Sequence, residues 1–229
     1  MSGWATLIDE ANGFFEGLAA NNRKDWFEDR KAWYVDHVRK PAEMLADIAG
    51  GEIGRVTGHP QGAKVFRVYR DVRFSKDKTP YNPWLHVIWQ DAGAKDDRLR
   101  PAHFFESAPP SSDEAARLNL AAGIMADGGE ALTRLRAFLA EWGGLVEDAL
   151  EECREAVGAE LSGWGPAPLK RVPKPYEADH PHGDLLKRKA LIVEAPLGEG
   201  WREGDDLIGA IRRTAEGLLP LTRLIRERL

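Results

Sequence analysis

Residues 66–89 read FRVYRDVRFSKDKTPYNPWLHVIW, and the way this stretch folds decides the architecture. Its side chains change character every second position. Phe66, Val68, Val72 and Phe74 fall on one face of an extended chain, and Arg67, Tyr69, Asp71 and Arg73 on the other. This period predicts a strand. SKDKTP supplies a turn and residues 84–89 a returning strand, so the stretch predicts a β-hairpin. Alternate residues along a strand lie about 7 Å apart, which sets two guanidiniums beside a phenol and a carboxylate. Arginine forks match phosphate and carboxylate oxygens. Arg67, Tyr69 and Arg73, extended by Lys76, Lys78 and Tyr81, are therefore the candidate residues for a small anionic ligand, such as a phosphorylated one. Two other readings stay open: a solvated face on which Asp71 pairs with a neighbouring arginine, and a surface for a protein partner. Arg70 shares the apolar face and reads as a buried, paired structural arginine.

The basic run stands out against an acidic chain. Residues 64–78 hold six basic and two acidic side chains, a balance of +4, whereas the whole chain carries −5. A general nucleic-acid binder draws its affinity from a basic domain, so nucleic acid is not favoured as a partner. Eight tryptophans in 229 residues argue against disorder and for a full core. No apolar run approaches the length of a membrane span, and Asp9 and Glu10 come too early for a signal peptide. Cys153, the sole cysteine, forms neither an internal disulfide nor a zinc site. Together these features predict a cytoplasmic protein.

Outward from the hairpin, the period becomes helical. Leu7, Ile8, Ala11, Phe14, Phe15 and Leu18 mark a first helix that stops at Asn21–Asn22. Asn22 with Asp25 reads as the cap of a second, with the stripe Trp26, Phe27, Trp33, Tyr34, Val38, Leu45 and Ile48, kinked or broken at Pro41. GGEIGRVTGHPQGA (50–63) reads as a loop. Residues 102–107 and 118–125 read as strands joined by the turn PPSSDEA. Asp127 and Glu130 suit a capping box for a helix ending at Trp142-Gly143-Gly144, and a second helix carries Val146 to Val157. A proline-rich connector follows, with Pro181 at the first position of a short helix. ALIVEA is the last strand, and residues from Asp205 onward are helical with a break at Pro220. The order predicts one α+β domain over 1–229, a mostly antiparallel sheet with helices packed on it. Its parts are helical (5–50), sheet-forming (64–125) and helical or mixed (127–229).

Phosphate-loop, dinucleotide, zincin and nucleophile-elbow motifs are all absent. Acid–base candidates are His86, since an imidazole titrates near neutrality, and Asp71. The plainer reading of His86 is a half-buried strand residue bonded to a backbone group. EADHPHGD (177–184) gathers Asp179, His180, His182 and Asp184, but Pro181 opposes the geometry that would place both histidines on one face, so no metal is assigned. No cofactor is implied. Cys153 lies on an apolar helical face as a buried thiol.

FRVYRDVRFSKDKTPYN resembles the signature of domain-of-unknown-function family 2461, as do NNRKDWFEDRKAWYVDHVRKP, HFFESAP and PKPYEADHPHGDLLKRKALIVEAPL in the same order. The resemblance covers most of the chain and implies a single domain. It carries no activity or catalytic residue, and it places weight on Arg67 to Tyr81 except Val68 and Val72. Asp179, His180 and Pro181 match its late motif and His182 does not. LNLAAGIM stands where the family has a bulky, tryptophan-containing strand.

Overall fold

The predicted outgoing strand starts earlier and ends sooner. In the computed structural model, which describes residues 3–73, 75–93, 99–109, 117–126 and 128–229, β1 is Gln61–Val65 and pairs with β2, Leu85–Asp91, so that Val65 faces Val87. Beyond Val65 the hairpin becomes an irregular arm. Main-chain bonds run from Phe66 N–H to His86 O (2.9 Å), Asn82 N–H to Val68 O (2.7 Å) and Arg70 N–H to Pro80 O (2.9 Å), with a bridge between Tyr69 and Tyr81. Two causes end the ladder. Pro80 and Pro83 have no N–H to give. Between the pairings at Val65 and Tyr69, the outgoing chain has three residues (66–68) and the return five (82–86), which is a bulge. The expected common face is therefore broken: Val68 is buried while Phe66 is 42% exposed. Phe74 and all of the predicted turn PPSSDEA except Pro109 lie outside the described residues.

The remaining strands are β3 (Ala102–Ala108), β4 (Arg117–Met125), β5 (Glu160–Leu161) and β6 (Ala190–Pro196). They form one antiparallel sheet in the order β1-β2-β3-β4-β6-β5. Strand alternation gives the sheet two faces. Val87, Trp89, Phe105, Leu120, Ala122 and Val193 lie in the main core with the helices. Ala121, Ala190 and Ile192 make a small separate cluster on the outer face, under Phe104 and Trp164. The fold is α+β, as the alternation of periods predicted.

Helix α1 (Trp4–Ala20) buries the predicted stripe, and Asp205 caps it from afar by accepting the N–H groups of Trp4 and Ala5. Helices α2 (Lys24–Tyr34) and α3 (Lys40–Thr57) are joined by a π-helical segment, Val35–Arg39. The interruption expected at Pro41 takes this form: Pro41 sits in the first turn of α3, where a missing N–H costs little. Ile48, placed on the stripe, is instead 44% exposed. Asn22 does not cap α2. Its amide accepts Tyr81 N–H (3.1 Å) and donates to Tyr81 O (2.9 Å), pinning the arm to the α1–α2 turn.

Residues 50–57 belong to α3 rather than to a loop. Ile53 is fully buried, and Gly50 lets Trp89 approach so closely that a Cβ would lie 3.1 Å from its ring. Trp89 Nε1–H then donates to Ala46 O (2.7 Å), fastening α3 to the sheet. Similarly, α4 (Gly129–Val157) runs unbroken through Trp142-Gly143-Gly144. His182 packs where a Gly143 Cβ would stand, so this glycine marks a contact, not a stop. Asp127 of the expected capping box lies outside the described residues, and Gly128 is the N-cap. Pro181 precedes α5 (Gly183–Leu186), whose N-cap is His182. Helices α6 (Leu207–Gly217) and α7 (Leu219–Arg228) meet at Leu218, with Pro220 in the first turn of α7.

Candidate functional site on the outer sheet face

Both acids of the arm are engaged within it. Arg73 grips Asp71 through Nε and Nη2 (2.9 and 2.6 Å), and its guanidinium holds the Asp71 carboxyl below the usual carboxylate range. The charge of Arg67 adds to that lowering, and Asp71 occupies the Arg73 fork. Arg70 pairs with Asp77, which also accepts the N–H and hydroxyl of Thr79; the Arg70 guanidinium chiefly brings Asp77 down to about 2. Arg70 is thus paired, as expected, with its side chain a quarter exposed. With these pairs made, the net positive charge of the arm rests on Lys64, Arg67, Lys76 and Lys78. Lys78 donates to Val72 O at the tip (3.0 Å).

Tyr69 and Tyr81 do not share the face of the arginines. They pack on each other (5.4 Å) and on Phe27 of α2 (5.6 and 4.5 Å), with Tyr81 buried and Tyr69 43% exposed. Arg39 holds the root of the arm, donating to Val65 O and Phe66 O at 3.1 Å each.

His86 lies on the outer face of β2, and its partner is a side chain rather than the backbone. Its Nε2 meets Glu106 Oε2 at 2.5 Å across the β2–β3 pair, where the two residues are direct neighbours. Glu106 is buried (side chain 8% exposed), and Arg117 Nε stands 3.7 Å from its other oxygen. Aromatic rings flank the imidazole: Trp84 at 5.6 Å, Trp164 at 5.2 Å and Phe66 at 6.1 Å. The bulge explains Trp84, because it is one of the extra residues turned out of the ladder. It is 38% exposed.

Glu106, Arg117 and Trp164 were not singled out by sequence. Glu106 sits in HFFES, but only the strand register reveals that it opposes His86. The EADHPHGD histidines lie elsewhere: His182 Nδ1 contacts Glu147 Oε1 (3.1 Å), and His180 accepts the His182 N–H (3.1 Å). Among the described residues no three metal-ligating side chains converge, and no helix is long and apolar enough to cross a membrane. Cys153 is buried, which pushes its thiol upward.

An antiparallel sheet with helices on one face and the His86–Glu106 pair among aromatic rings on the other defines an α+β protein. The chain belongs to the family described as "Conserved hypothetical protein (DUF2461)", whose model matches residues 10–223. No curated protein and no solved structure matches it.

Proposed function

We propose that the protein binds a small anionic molecule with a flat or ring-shaped part on the outer sheet face, at the root of the basic arm. The observation that carries this reading is the His86–Glu106 pair, 2.5 Å apart and set between Trp84 and Trp164. Phe66 and Trp84 leave aromatic surface exposed beside it, on which a ring can stack. Arg67, Lys76 and Lys78 supply positive charge from the arm, joined by Lys64 on the strand. Arg73 takes part by exchanging Asp71 for the ligand's anion, and Tyr69 braces the arm against Phe27 of α2. Tyr81 positions the arm through Asn22.

A second reading, acid–base chemistry on the bound anion, is favoured by the same geometry. A carboxylate that accepts Nε2–H fixes the tautomer, leaves Nδ1 as the basic nitrogen and stabilises the imidazolium that forms. Asp71 suits this role less, because Arg73 keeps it ionised. One core cluster reaching from Leu7 to Ile225 supports a single domain, and the lone buried Cys153 supports a cytoplasmic location. NMR titration with aromatic phosphates and carboxylates tests the site. Signals of the Trp84 and Trp164 indoles and the His86 ring should move together. Perturbation confined to other residues would refute the location.

A further inference from the structure

A cavity of about 280 Å³ opens on the opposite, helix-covered side of the sheet, between the end of α3, the ends of β1 to β3 and helix α7. Its charged and titratable lining is His59, Asp91, His103, Arg223, Arg226 and Glu227. A recess of this size, with charged walls and a few convergent polar groups, has the make-up of a small-ligand site.

The lining sorts into groups already satisfied and groups left over. Asp91, with 6% of its side chain exposed, accepts Gly93 N–H (2.8 Å) and pairs with Arg226. The neutral polar donors are also engaged. Gln61 Nε2 donates to Thr57 Oγ1 (3.2 Å) and His59 O (2.9 Å), Thr57 Oγ1 to Ile53 O (2.9 Å), and Thr222 Oγ1 to Leu219 O (3.2 Å). Apart from Glu227 and the Gln61 amide oxygen, what remains is cationic or donor-rich. Arg226 has more N–H groups than Asp91 can accept. Arg223 lies three residues away on the same face of α7 and has no acidic partner among the described residues. His59 is held below its ordinary range by burial and then by the charge of Arg226. His103 is buried and its Nε2 has no partner among the described residues. Glu227, exposed and one helical turn from Arg223, is the one acid of the lining with no cation in ion-pair distance among the described residues.

We infer that this cavity is a second ligand site, which takes a small carboxylate- or phosphate-bearing metabolite with its oxygens between Arg223 and Arg226 and its body toward His59 and His103. Paired arginine forks are suited to these two anions alike. The volume falls just below the usual range of ligand pockets, which starts at roughly 300 Å³, and so favours a small metabolite over a nucleotide. The site is independent of the outer-face reading, since the sheet separates the two.

Calorimetric titration of the full chain with succinate and with glycerol phosphate tests this inference and tells the two anion chemistries apart. At least one of them should bind, and Arg223→Ala should weaken it about tenfold or more. Arg223 is exposed, so this variant folds, whereas Arg226→Ala strips a buried aspartate of its partner. Trp84→Ala, at the outer face, should leave this binding unchanged. Failure of both probes to bind, or equal affinity in Arg223→Ala, would overturn the assignment. Loss of binding in Trp84→Ala would place the bound anion on the outer face instead.

Discussion

Glu106 holds the imidazole of His86 across the β2–β3 pair, Oε2 to Nε2 at 2.5 Å, from a position that is itself buried. A buried carboxylate stripped of a partner is costly, because it keeps its desolvation penalty and loses its compensation. His86→Ala should therefore destabilise the protein by about 2 kcal/mol, with Arg117 limiting the loss. The double variant with Glu106→Gln should recover part of it. Urea unfolding of the two single variants and the double variant measures the coupling. Additive costs would show that the pair does not interact.

Asn22 makes the arm part of the fold. Its amide satisfies both main-chain groups of Tyr81, as a neighbouring strand would. Asn22→Ala should cost about 1–3 kcal/mol, the penalty for orphaned main-chain groups. Lys24→Ala, at an exposed neighbouring position, should change stability by less than about 0.5 kcal/mol. Thermal melts of the two variants give the comparison.

Gly143 and Gly144 separate contact from propensity on one helix. A Cβ at Gly143 would lie 2.2 Å from His182 Cγ, while at Gly144 it meets nothing within 4 Å. Gly144→Ala should stabilise by up to about 1 kcal/mol through helix propensity. Gly143→Ala should destabilise by about 1–3 kcal/mol, since His182 must be displaced. If both substitutions stabilise, the packing at Gly143 is not as described.

His103 sets an acid limit on stability. Burial pulls its imidazole down to about 4 in the folded protein, against about 6.5 in an unfolded chain. Between these values the unfolded state binds the extra proton. The contribution is therefore full above pH 6.5, falls as the pH drops and levels off below about 4. The gap corresponds to about 3 kcal/mol. His103→Gln should flatten this part of the stability–pH curve in chemical denaturation. An unchanged slope would mean that His103 is protonated to the same extent in both states.

The sequence was most informative where periodicity and burial agree. The first helix, β2 to β4 and the last strand follow directly from it. It misled where glycines serve contacts between distant residues: Gly50 admits Trp89 and Gly143 admits His182, and neither partner is visible in local sequence. The arm failed as a regular strand because Pro80 and Pro83 withhold donors and the return carries two extra residues. The candidate site was half legible. His86 and the basic residues could be named, whereas Glu106 became its partner only through strand register and Trp164 only through a long connection.

The most direct test of the central claim is a thermal-shift screen of small phosphorylated and carboxylated ring compounds on wild type, Trp84→Ala and Arg67→Ala. Both substituted residues are exposed, so the variants should melt close to wild type. A ligand at a hundred times its dissociation constant stabilises by about 2.7 kcal/mol, a rise of a few degrees for a chain of this size. The account predicts such a rise in wild type and its loss in both variants. An anion that stabilises all three proteins equally, or a screen in which none stabilises wild type, would contradict it.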